Sequence, residues 1–125
     1  MKTSQDLTNR ISNDLIKIGA NFAKLQRLKE ENKISEQMFC KKVYVEIMKA
    51  AHIRTVLEEA DYKGIELDSK QSDSLLDLFD VLCENADIQT MDELTQEDLI
   101  AINTFASKYE DIIPNEDLSD FVQTN

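Results

Sequence analysis

Apolar residues recur along the first part of the chain at Leu7, Ile11, Leu15, Ile18, Phe22 and Leu25. Their spacing of 4, 4, 3, 4 and 3 places all six on one face of an α-helix. It predicts a first helix over about 5–32. Thr3 or Ser4 can cap it, with Asp6 three residues after Thr3 in the manner of a capping box. After a short break at Lys33 and Ile34, Ser35 is placed to cap a second helix over about 36–62, and Gly64 supplies a left-handed stop. Two long helices joined by so few residues must run antiparallel as a hairpin.

The second helix is apolar on more than one face. Phe39, Val43, Ile47, Ala50, Leu57 and Ala60 form one stripe, widened by Val45, Met48, Ile53 and Val56. Such breadth fits a helix central to its bundle, or one covered by another subunit. A third helix over about 70–85 opens at Asp68 or Ser69 and turns Leu75, Leu78, Phe79 and Leu82 inward. For the fourth, Thr90 with Glu93 and Thr95 with Asp98 are alternative capping boxes. It runs over about 92–110, burying Leu99, Ile102, Phe105 or Ala106, and Tyr109. Pro114 ends it, and Asn115 can cap a short last helix over about 115–122 carrying Leu118, Phe121 and Val122. The expected fold is therefore an all-α bundle of four to five helices, one domain over 1–125, without internal repeat or linker.

These lengths are unequal. At ~1.5 Å rise per residue the first two helices reach about 40 Å and the next two about 25 Å. The closed end of the hairpin should therefore project, carrying Phe22, Leu25, Leu28, Met38 and Phe39 among Lys24, Arg27, Lys29, Lys33, Lys41 and Lys42. An uncovered apolar surface set in positive charge calls for a cover, either the last helix or a partner. We take Phe22, Leu25, Arg27, Leu28, Met38, Phe39, Lys41 and Lys42 as one candidate partner-binding surface.

Composition sharpens the picture. Two Gly and one Pro leave little turn material for sheets, and 42% hydrophobic residues argue against general disorder. No apolar run approaches the ~20 residues that would span a bilayer, and MKTSQDLTNR lacks the apolar core of a secretory signal. Cys40 and Cys83 are too few for a disulfide scaffold, so a reduced, cytoplasmic setting is expected, with signal-less export left open. The net charge of −11 hides a polarity: residues 1–57 carry 11 Lys/Arg and 6 Asp/Glu (+5), residues 58–125 carry 3 and 19 (−16). From Gln71 to Ser107 there is no Lys or Arg at all. On the third helix Asp73, Asp77, Asp80, Glu84 and Asp87 form one stripe at spacings of 4, 3, 4 and 3. This is the second candidate surface: a solvated face, a docking face for a basic protein, or a mimic of nucleic-acid phosphates. Direct nucleic-acid binding is not expected of so acidic a chain.

No catalytic or metal motif survives inspection. A calcium loop starting at Asn85 would have Asp87 and Gln89 in place but no central Gly and Gln96 where a bidentate Glu belongs. The lone His52 follows Lys49 rather than a Glu three residues back, unlike di-iron bundles. Cys40 and His52 lie ~18 Å apart along one helix. Cys83 could approach His52 across helices, but beside Leu82 it reads as a small hydrophobe at a core margin. No catalytic residue, metal or cofactor is expected.

The sequence thus points to a non-enzymatic protein-binding module: a bacterial inhibitor, antagonist or chaperone of one other protein with a basic surface. In size, charge and helix content it resembles the small acidic helical proteins that bacteria and phages use as toxin-immunity proteins, effector inhibitors, anti-CRISPR proteins and secretion chaperones. No site residue is carried over from that likeness. The alternatives are a nucleic-acid-mimicking inhibitor and an enzyme using Cys83 or a carboxylate-metal site. Helix 2 breadth and the bare tip also suggest a homodimer when free, the basic tip of one copy meeting the acidic base of another.

Overall fold

Four helices account for the described residues, 4–64, 69–86 and 94–109, of a computed structural model: α1 (Ser4–Glu30), α2 (Glu36–Tyr62), α3 (Ser69–Asn85) and α4 (Gln96–Ser107). The proposed last helix at 115–122 lies outside these residues. The fold is an all-α bundle built on the α1–α2 hairpin. No described helix is long and apolar enough to cross a membrane.

Each boundary has a local cause. α1 stops two residues short of Asn32 because Asn32 takes a left-handed conformation (φ 59°). The Lys33 N–H then donates to Leu28 O at 2.8 Å and the Asn32 N–H to Lys29 O at 3.0 Å, the two bonds of a Schellman stop. Asn is among the few non-glycine residues that adopt this geometry readily. α2 begins where expected, with the Met38 N–H donating to Ser35 Oγ at 3.0 Å, and ends before Gly64 at φ 77°. For α4 the chain uses the second capping box. The Asp98 N–H donates to Thr95 Oγ1 at 3.1 Å and the Thr95 N–H to Asp98 Oδ2 at 3.2 Å. Thr90 and Glu93 lie outside the described residues.

α2 is the central helix. It packs against α1, α3 and α4, while α1 also meets α3. Its broad apolar surface is consumed within the chain, with Phe39, Cys40, Val43, Val45, Ala50, Ile53, Val56 and Ala60 buried. Leu7, Ile11, Ile18 and Phe22 of α1, Leu75 and Leu82 of α3, and Phe105 and Tyr109 complete the core. Ile47 and Leu57 are half-buried and Met48 is exposed. On α4, Leu99 is exposed and Ile102 half-buried, so Phe105 and Tyr109 are the residues that dock it.

Candidate functional site

The two candidate surfaces fall on opposite faces of the hairpin. α4 lies over α2 on one face, with its last turn reaching across to α1. α3 lies over both long helices on the other.

On the α4 face three carboxylates are buried, two of them, Asp14 and Glu46, at positions within the apolar stripes of their helices. Asp14, between Ile11 and Ile18, is 1% exposed and accepts the Tyr109 hydroxyl at 2.6 Å, with Lys108 Nζ at 3.6 Å. Glu46, between Val43 and Ala50, accepts from Asn21 Nδ2 at 2.9 Å and pairs with Lys49 at 3.3 Å; its Oε2 has no partner among the described residues. Asp98 pairs with Lys42 at 2.9 Å while closing its own helix cap. A carboxylate removed from water needs such partners. Burial alone would raise Asp98, but hydrogen bonds from Lys42 and Thr95, and the Lys42 charge, bring it below its usual range. Tyr109 is pushed well above the usual phenol range, first by burial and then by the Asp14 carboxylate, with nearby Arg10 opposing. His52 packs edge-on against Phe105 (6.3 Å) and against Tyr109 (5.7 Å).

The closed end of the hairpin corrects one expectation. Phe22 and Phe39 are buried, 6% and 1% exposed, with ring centroids 6.4 Å apart and Lys29 Nζ 4.5 Å from the Phe39 centroid. The two rings close on each other inside the narrow end, so neither is free to meet a partner. Leu25 and Leu28 remain half-buried and Met38 exposed. These three, with Ile34 and Val45, floor an open groove of about 620 Å³ whose rim carries Asn21, Lys24, Lys42, Lys49, Glu97 and Asp98. Lys42 is tied to Asp98, Lys41 is half-buried, and Arg27 is exposed just outside.

On the other face, Asp73, Asp77, Asp80 and Glu84 are all exposed on α3, and none forms an ion pair among the described residues. Asp87 lies outside the described residues. Leu76 (57% exposed) and Val81 (42%) are also exposed on this helix, one on each edge of the acidic stripe by the 100° helical step. Beside the stripe, a groove of about 660 Å³ runs between α1 and α3, lined by Leu15, exposed Ile16, Gly19, Leu78 and Val81, with Asp77 at its edge. α3 is held to α1 by Gln71, whose Nε2 donates to Thr8 O and Ser12 Oγ, both at 2.7 Å.

Among the described residues nothing assembles a nucleophile. Cys83 is exposed on α3, Cys40 is buried in α2, and His52 is occupied by the α4 rings. Among the described residues no three of His, Cys, Asp and Glu come together as metal ligands would. No family model, curated protein or solved structure matches this chain.

Sequence reasoning missed Asp14, Glu46, Gln71 and Asp98 as buried groups. The signal was present for two of them, since Asp14 and Glu46 interrupt apolar stripes at the i+3 or i+4 step.

Proposed function

We propose that the chain is a non-enzymatic protein-binding module that docks one basic partner on the outer face of α3, as an inhibitor, antagonist or escort of that partner. The observation carrying this reading is a row of four exposed carboxylates edged by exposed Leu76 and Val81, next to an apolar groove. Exposed Ile16 and Val81 line that groove, and exposed apolar surface rimmed by polar residues marks interaction sites. The carboxylates supply long-range attraction and orientation, and the apolar edges supply area to bury.

Affinity capture from native cells tests it, using the wild-type chain and the triple variant Asp77→Lys, Asp80→Lys, Glu84→Lys as parallel baits. The reading expects one stoichiometric protein retained by the wild type, eluted by salt, and lost from a triple variant whose helicity is unchanged. Equal retention by both baits, or no retained protein, rejects it.

A further inference from the structure

We infer that the partner engages the α3 face as an α-helix lying in the groove between α1 and α3, apolar on the side it buries and carrying Lys or Arg along one edge only. This rests on the reading that the α3 face docks a basic protein, and it names the element that protein presents. The groove is lined from Ser12 to Phe22 on α1 and from Lys70 to Val81 on α3, about 15–17 Å of each helix, or three turns. Both walls are helices whose main-chain groups bond within themselves. An extended segment would therefore find no ladder of N–H and C=O partners there. A helix satisfies its own backbone and offers side chains at the same rise as the walls.

The two lips differ in charge. On the α3 side Asp77 lines the groove, and exposed Asp73 and Glu84 stand within about 40° of it around the helix. Lys70 is at the near end, ahead of that row. On the α1 side the exposed row is Asn13, Ile16, Ala20 and Ala23, at steps of 3, 4 and 3, with no charge among them. An occupant basic on both edges would leave one row of cations unpartnered, so the groove selects a single basic edge. Ile16, 69% exposed, and Val81, 42%, line the groove from opposite walls, with half-buried Leu15 and Leu78 completing its apolar surface. An acceptor is also left open. Gln71 lines the groove at 5% exposure, its Nε2 is spent on Thr8 and Ser12, and its Oε1 has no hydrogen-bond partner among the described residues. Buried acceptors are ordinarily paired, and a hydroxyl, an amide or a free N–H at the end of the docked helix would supply the donor.

Gly19, on the α1 wall, provides the test. A Cβ there meets nothing within 4 Å, and Leu favours a helix over Gly, so Gly19→Leu should fold as well as the wild type while filling the groove. The probe is a synthetic helix of about four turns, stapled on its outer side, with Leu on the face to be buried, Lys along one edge, and Ala and Gln elsewhere. Added to the isotope-labelled full chain, it should shift the amides of Ser12, Gly19, Ser74, Asp77 and Val81. Gly19→Leu should weaken binding by about tenfold or more, as should replacing the staple with a central proline. Thr104→Leu, exposed on α4, should change it less than twofold. Undiminished binding by the Gly19→Leu chain, equal binding of the proline peptide, or shifts gathered on the α4 face would each overturn the proposal. Capture from native cells separates it from the reading beneath it. A partner lost from the Asp77→Lys, Asp80→Lys, Glu84→Lys bait but kept by Gly19→Leu upholds the docking face and overturns the helix. A wild-type bait that retains nothing overturns both.

Discussion

The two faces of the hairpin are sealed by different physics. On the α3 side, Leu75 and Leu82 are buried, Leu78 and Phe79 pack against the core, and the buried polar tie is a neutral amide, Gln71. On the α4 side, a twelve-residue helix is held beside Asp14, Glu46 and Asp98, each matched to a hydroxyl, an amide or an ammonium group. Apolar burial involves no titrating group and so is indifferent to pH, and its strength follows area. Buried carboxylates add little net stability when paired but cost a great deal when a partner is lost. One face should therefore respond to volume and the other to charge state.

Removing volume from the α3 face should have the largest effect. Leu82 is fully buried, so Leu82→Ala is expected to cost about 2–5 kcal/mol in denaturant unfolding, by lost transfer energy and the cavity left behind. The loss should be the same at pH 5 and pH 8. A loss that varied by more than about 1 kcal/mol over that range would break the distinction between the faces.

Tyr109→Phe, on the α4 face, keeps the ring but removes the hydroxyl from Asp14. The carboxylate is left buried with Lys108 at 3.6 Å, a deficit of about 1–3 kcal/mol. Because the phenol is raised in the folded chain, it contributes stability in full below its ordinary value of 10.0 and loses it as pH climbs past that value. Tyr109→Phe should therefore flatten the alkaline limb of the stability profile as well as lower its plateau. An unchanged alkaline limb would show that another group governs it.

Asp98 gives the mirror-image test. Its carboxyl is held below the ordinary 3.8, so its contribution is present above that value and is lost as pH falls through the folded-state value. Asp98→Ala removes the cap and the Lys42 partner together, and about 0.5–2 kcal/mol is expected near neutral pH. The penalty should shrink from neutral pH to an acid pH well below 3.8, as the wild type gives up the contact too. Amide exchange of α4 at the two pH values reads this directly.

How much of this was legible in the chain follows from the same division. Helix existence and register came from apolar spacing. The caps at Ser35, Thr95 and Gly64 were visible because each is a local interaction spanning a few residues. The buried carboxylates were not, because what makes Asp14 a core residue is Tyr109, 95 positions away. The hairpin tip misled for a similar reason. Helix lengths implied a projecting end with its apolar side chains uncovered, whereas Phe22 and Phe39 pack against each other and are buried there. Exposure of the acidic stripe was legible because a run without Lys or Arg on one helix face has no local means of burial.

The smallest expected effect is the most informative about that stripe. Asp73 with Asp77, Asp77 with Asp80, and Asp80 with Glu84 are like charges at the i+4, i+3 and i+4 steps, each pair repelling by a few tenths of a kcal/mol. Asp77→Asn with Asp80→Asn touches all three pairs, and all four residues are exposed. The double variant should be more stable than the wild type by about 0.2–0.5 kcal/mol in low salt, with the gain vanishing near 1 M salt, where screening acts over ~3 Å. A loss above 1 kcal/mol would mean that the fold uses these carboxylates, putting α3 on the same footing as the α4 face. A gain would mean that the fold does not use these carboxylates and carries them at a small cost in stability.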